Sequence, residues 1–137
     1  MELERITGHI VDCSIKLHTR LGPGLLESVY ESILAKDLTR RGLVVERQKQ
    51  ISFDYEGLHF EEGLRVDLLI NSKVVVELKS TEKIASVHWK QVLTYLRLLD
   101  LRVGLLVNFG APTLRAGLHR IVNDYSVSGY SPRLRER

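Results

Sequence analysis

Cysteine is nearly absent from this chain. Cys13 is the only one among 137 residues, so no disulfide can close within the chain, and a cysteine-rich zinc site is excluded. The five histidines (His9, His18, His59, His88, His119) show no H-E-x-x-H pairing, which removes the zinc-protease pattern. No Walker-type glycine loop, no G-x-G-x-x-G fingerprint and no G-x-S-x-G elbow occurs. No stretch approaches the ~20 consecutive apolar residues that cross a bilayer. The opening residues Met1-Glu2-Leu3-Glu4-Arg5 carry charge where a signal peptide needs an apolar run. These absences predict a soluble, cytoplasmic protein. Charge of one sign is also in short supply. Twenty Lys and Arg face 17 Asp and Glu, for a formal net charge of +3 and a pI near 9.1. That balance accommodates a polyanionic partner without requiring one.

The hydrophobic fraction of 44% and the charged fraction of 27% are those of an ordinary globular protein. No internal repeat or low-complexity segment interrupts the chain. The length suits a single domain, expected over residues 1–123. A polar, basic tail over 124–137 is expected to be loosely ordered. Ile6, Ile10, Cys13 and Leu17 recur at helical spacing and predict a first helix over about 3–18. Leu21-Gly22-Pro23-Gly24 ends it. A second helix follows, with Leu26, Val29, Tyr30, Ile33, Leu34 and Leu38 as its apolar stripe and Gly42 at its C-terminal cap. The period then changes to two. Ile51, Phe53 and Tyr55 alternate, Glu56-Gly57 turns the chain, and Leu64, Val66, Leu68 and Ile70 alternate again. Val74, Val76 and Leu78 continue after the loop Asn71-Ser72-Lys73. A third helix is predicted over 85–99, burying Trp89, Val92, Leu93, Leu96 and Leu99. Val103–Phe109 reads as a central strand covered on both faces, and Leu118–Val122 as a short last strand. The order α, α, β, β, β, α, β, β implies an α/β domain with a mixed central sheet flanked by helices.

The chemistry concentrates in the hairpin around Asn71-Ser72-Lys73. Pairing Ile70 with Val74, Leu68 with Val76 and Val66 with Leu78 gives one coherent apolar face. The same register sets Asp67 opposite Glu77, and Arg65 opposite Lys79, on the other face. Directly opposed carboxylates have Cβ atoms about 4.5–5.5 Å apart and repel. A divalent cation removes that repulsion. Mg²⁺ takes one or two protein carboxylates, keeps several waters and shares its shell with phosphates, and the Leu78 carbonyl is a further candidate oxygen. Lys79, two residues after Glu77, faces the same way, placed to orient or deprotonate a water or to stabilise charge on a phosphate. A solvated strand face with alternating charges explains the same letters, so D-x9-E-x-K does not by itself decide between site and surface.

Glu27 opens the second helix, where the helix dipole favours an acid; a capping role is its simplest account. His88, Gln91 and Tyr95 form a polar stripe on the third helix, available to a phosphate, a base or a metal-bound water. Lys90 lies nearby and can reach a phosphate backbone. An ordinary polar helix face accounts for the same residues.

Taken together, Gly24-x-x-Glu27-x-x-Tyr30, Arg65-Val66-Asp67-Leu68-Leu69, Val76-Glu77-Leu78-Lys79, His88-x-x-Gln91-x-x-x-Tyr95-Leu96 and Gly104-Leu105-Leu106-Val107-Asn108-Phe109-Gly110 resemble the GxxExxY protein family of the PD-(D/E)XK nuclease superfamily. The resemblance runs from about residue 4 to 123. It implies the restriction-endonuclease-like fold and hydrolysis of DNA phosphodiesters with Mg²⁺, for which Mn²⁺ substitutes. Asp67 and Glu77 are then the metal carboxylates, Lys79 the catalytic lysine and Glu27 an additional carboxylate. Gln91 and Tyr95 resemble a Q-x-x-x-Y element. Tyr30, Arg65, His88, Lys90 and Tyr95 are the expected nucleic-acid contacts. Val66 stands where the superfamily's name has Pro. A non-catalytic binding module on the same fold, RNA in place of DNA, and action as a homodimer or within a larger complex remain open at this level.

Overall fold

The helical period of the N-terminal segment continues one turn past its last apolar marker. In the computed structural model, which describes residues 1–124, α1 spans Leu3–Leu21 and stops at Gly22, whose φ of 72° is left-handed. Helix α2 (Glu27–Arg40) ends as the sequence implies. Leu43 N–H donates to the Leu38 carbonyl and Gly42 N–H to that of Thr39, with Gly42 at φ 88°. This is the paired-bond cap that a left-handed glycine permits.

Five strands follow: β1 (Val45–Tyr55), β2 (Leu58–Ile70), β3 (Val74–Lys79), β4 (Val103–Asn108) and β5 (Leu118–Val122), in that spatial order. All neighbours are antiparallel except β3 and β4, which run parallel. Helix α3 (Ser86–Leu99) supplies the crossover between them, because a parallel connection cannot be a tight turn. The mixed α/β architecture agrees with the expectation. A four-residue helix, α4 (Leu114–Gly117), is an addition that periodicity cannot reveal at that length.

Each face of the sheet carries its own core. On one, Ile6, Ile10, Tyr30, Leu34 and Leu38 of α1 and α2 pack with Leu68, Ile70, Val76, Leu78, Leu105 and Val107. On the other, Val92 and Leu96 of α3 pack with Leu69, Val75 and Leu106. Every residue of β4 is buried, as a strand covered on both faces must be. Gly104 lets α3 sit close, since a Cβ there would fall 2.7 Å from Val92 Cγ1.

Three expectations about faces are corrected. Leu26 and Val29 are exposed, because α2 begins only at Glu27 and turns Tyr30, Glu31 and Leu34 inward. Trp89 is 41% exposed; it lies in the first turn of α3, ahead of the first fully buried residue, Val92. Leu64 and Val66 pack in the α3-side core, whereas Leu68 and Ile70 pack on the other side. Strict alternation would keep all four together, so β2 changes face between Val66 and Leu68, at Asp67. Of the expected basic tail, only Asp124 falls within the described residues.

Candidate functional site

Asp67 sits where the ladder between β2 and β3 gives way. Leu68–Val76, Leu69–Val75 and Ile70–Val74 pair in the predicted register. The predicted continuation to Val66–Leu78 does not form. Instead the Asp67 N–H donates to Glu77 Oε2 at 2.7 Å, and the Leu78 N–H donates to Asp67 Oδ2 at 2.8 Å. Two carboxylates thus take the place of backbone acceptors between parting strands. Asp67 and Glu77 meet as the register implies, but they do so by turning into the gap rather than by facing each other over an intact ladder.

The neighbouring ladder is interrupted at the same level. Arg47 pairs with Leu68 and Lys49 with Val66, while Gln48, between them, has φ 48°. A non-glycine residue in the left-handed region costs roughly 1–2 kcal/mol. Such conformations concentrate at functional sites. Gln48 Nε2 lies 2.5 Å from Glu31 Oε1 and 3.3 Å from Asp67 Oδ1. Glu31, buried on α2, also accepts from Arg47 Nε at 3.1 Å.

Burial governs the protonation of the pair. Glu77 is 5% exposed, and burial, with the Asp67 charge as second cause, pushes its carboxyl up to about 8. Burial also raises Asp67, opposed by the bonds it accepts from Leu78 and Gln48. In the metal-free chain Glu77 therefore holds a proton at neutral pH. Lys79 is half-buried, and its charge pulls both carboxyls downward. It forms no ion pair among the described residues.

Lys79 lines a cleft of about 450 Å³ with Val87, His88, Lys90, Gln91 and Thr94 of α3. Gln91 Nε2 donates to the Tyr95 hydroxyl at 3.0 Å. Tyr95 is close enough to the pair that burial, then Glu77 and Asp67, raise its phenol, keeping it a hydrogen-bond donor. Arg65 is exposed and acts on Tyr95 in the opposite sense. The structure thus brings Lys79 and Tyr95 within electrostatic reach of the carboxylate pair, with Gln91 bonded to Tyr95 and lying along the cleft beside His88 and Lys90. His88 has a structural task as well: its Nδ1 accepts the Ala85 N–H ahead of α3.

Two expected participants are placed elsewhere. Glu27 is exposed and lines a separate hollow with Leu25, Leu26, Ser28 and Ser80. Among the described residues no group of three or more His, Cys, Asp or Glu side chains is arranged to hold a metal ion, so Glu27 does not complete a cage. The inward acid of α2 is Glu31, one turn later. Tyr30 is fully buried, stacked on Phe109 at 4.4 Å between ring centroids. Its hydroxyl donates to the Gly22 carbonyl at 2.6 Å and accepts the Leu25 N–H at 3.2 Å. It fastens the turn before α2 and has no surface to offer a nucleic acid. Tyr30→Phe is accordingly expected to lower stability by ~1–3 kcal/mol in a denaturant titration while sparing nucleic-acid affinity. A large affinity loss at unchanged stability would contradict that role.

Comparison with known families reaches the same region of sequence. The model of the PD-(D/E)XK nuclease superfamily matches residues 4–121. The chain belongs to the PD-(D/E)XK nuclease superfamily. No curated protein and no solved structure gives a match. The five-stranded mixed sheet with helices on both faces agrees with a PD-(D/E)XK fold. No helix among the described residues is long and apolar enough to cross a membrane.

A PD-(D/E)XK domain generally works with a divalent metal, and the donors present suit one. Glu77 Oε1 takes no hydrogen bond among the described residues, and each carboxylate is already oriented by a backbone N–H through its other oxygen. Two carboxylates suit a divalent cation that keeps several of its waters better than one enclosed in an all-protein cage. Sequence reasoning missed Glu31, Gln48 and Arg47. It also gave no role to Asn108, whose side chain grips the Thr81 backbone in both directions and so fixes the segment that follows Lys79.

Proposed function

We propose that this chain is a divalent-metal-dependent nuclease that hydrolyses phosphodiester bonds in DNA. The observation that carries the reading is the pairing of half-buried Asp67 with buried Glu77, turned into the gap between β2 and β3 with Lys79 two residues further along β3. Asp67, Glu77 and the Leu78 carbonyl would hold Mg²⁺ or Mn²⁺. A metal held there would supply Lewis-acid polarisation of the phosphate and a lowered water pKa. Glu77 would give up its proton to such a cation. Lys79 orients the attacking water and stabilises charge on the phosphate. Gln91 and Tyr95 donate hydrogen bonds towards the same space. Arg65 and Lys90 engage flanking phosphates, and His88 borders that path.

The test is cleavage of single-stranded, linear duplex and branched DNA, with RNA in parallel, by the purified chain with Mg²⁺ or Mn²⁺. The expected result is cleavage of at least one DNA that chelator abolishes and Glu77→Ala lacks. Cleavage of RNA alone would move the substrate class. Binding without cleavage, identical in Glu77→Ala, would make the chain a binding module.

A further inference from the structure

Beyond the side chains that meet metal or substrate, we infer that Gln48, held by Glu31, is the positioning residue that sets the Asp67 carboxylate for metal binding. This rests on the metal-dependent reading of the Asp67–Glu77 pair.

The Gln48 amide nitrogen carries two N–H donors. One reaches Glu31 Oε1 at 2.5 Å and the other Asp67 Oδ1 at 3.3 Å. Both partners are carboxyl groups, so the nitrogen of the amide, not its oxygen, has reason to face them. A second positive charge here would compete with a bound cation. A neutral amide joins two acids without doing so. Glu31 is 6% exposed and is itself fixed by Arg47 Nε at 3.1 Å. Arg47 is in turn anchored by its Nη2 on Ser32 Oγ at 2.9 Å. The chain of contacts therefore runs from the body of α2 to one oxygen of Asp67, while the Leu78 N–H fixes the other. The backbone supplies independent support. Gln48 occupies φ 48° in the middle of β1, where the flanking residues Arg47 and Lys49 both pair with β2. A strand selected for stability alone would place glycine or asparagine there, or keep the extended conformation. Partners beyond the ligands that orient them are commonly worth 10–100-fold in metal affinity.

The experiment compares wild type, Gln48→Gly and Gln48→Asn for Mn²⁺ affinity by calorimetry and for thermal stability in chelator. Both substitutions suit a positive φ, and neither side chain spans Glu31 and Asp67. The expected result is Mn²⁺ affinity about tenfold weaker with a melting temperature equal to or above that of wild type. A purely structural role would move the two together, so affinity loss that tracks a fall in melting temperature overturns the inference. Wild-type affinity in Gln48→Gly and Gln48→Asn overturns it alone, leaving the metal reading intact. A wild-type chain that binds no Mn²⁺ overturns both.

Discussion

Lys79→Met is expected to lower DNA cleavage by roughly a thousandfold while Mn²⁺ affinity stays at or slightly above the wild-type value. Lys79 ends β3, two residues after Glu77, half-buried beside the α3 cleft. It has no ion-pair partner among the described residues, so its removal leaves no opposed charge stranded. Its charge acts on both carboxyls, and loss of that charge favours a cation. Proton transfer and electrostatic stabilisation by one positioned side chain typically contribute ~10²–10⁴-fold. Methionine keeps the length and the apolar stem, so folding is preserved. A comparison of single-turnover cleavage with calorimetric Mn²⁺ titration checks this. Equal loss of metal binding and cleavage would assign Lys79 to the architecture of the site, and unchanged cleavage would remove it from the chemistry.

The second large effect is on stability. The metal-free chain is expected to lose stability as pH rises from about 4.5 to about 8, and Glu77→Gln is expected to flatten that loss. The sign follows from proton binding. An unfolded Glu titrates near its ordinary value, whereas folded Glu77 holds its proton up to about 8. Between those limits the native state binds more protons than the unfolded state, so the unfolding free energy falls with pH. The stabilisation is complete below the unfolded value and is lost as pH rises through the folded one. Asp67, also raised, acts with the same sign. A shift of this size corresponds to a few kcal/mol, or about 10 °C in a domain of this length. A divalent cation displaces the Glu77 proton, so its stabilising effect should grow over the same interval and disappear in Glu77→Gln. Thermal unfolding in chelator and in Mn²⁺ from pH 5.5 to 9 measures all of this. A wild-type profile parallel to that of Glu77→Gln would contradict it.

Much of this architecture is legible in the sequence, for physical reasons that differ by element. The switch from a helical to a two-residue period after Gly42 marks where helices end and strands begin. Gly42 itself is the left-handed cap that position demands. The hairpin register follows from Leu68, Ile70, Val74 and Val76, since a slip of one residue would send all four to the other face. The parting of the strands at Asp67 is different. It coincides with a positive φ at Gln48, a residue with no special turn propensity that is bonded to Glu31 and Asp67. Val66 therefore reads as a neighbour of Leu68 although it packs on the opposite side. Glu31 was hidden for a related reason. An acid beside Tyr30 interrupts an apolar stripe and reads as surface, whereas Glu27 sits in a recognisable motif. The signal available was its spacing of three and seven residues from Leu34 and Leu38, which puts it on the buried face. Only the fold brings that acid to Gln48 and Arg47. Trp89 misled because a helical wheel ignores that the first turn of α3 precedes its fully buried residues.

The central claim is that Asp67 and Glu77 hold a divalent metal. Crystals of the chain soaked in Mn²⁺ above pH 8, where Glu77 gives up its proton, test it most directly. An anomalous-difference peak is expected at the Asp67 and Glu77 carboxylates, and none in Glu77→Ala. Crystals that show no peak there, or an equal one in Glu77→Ala, would contradict it.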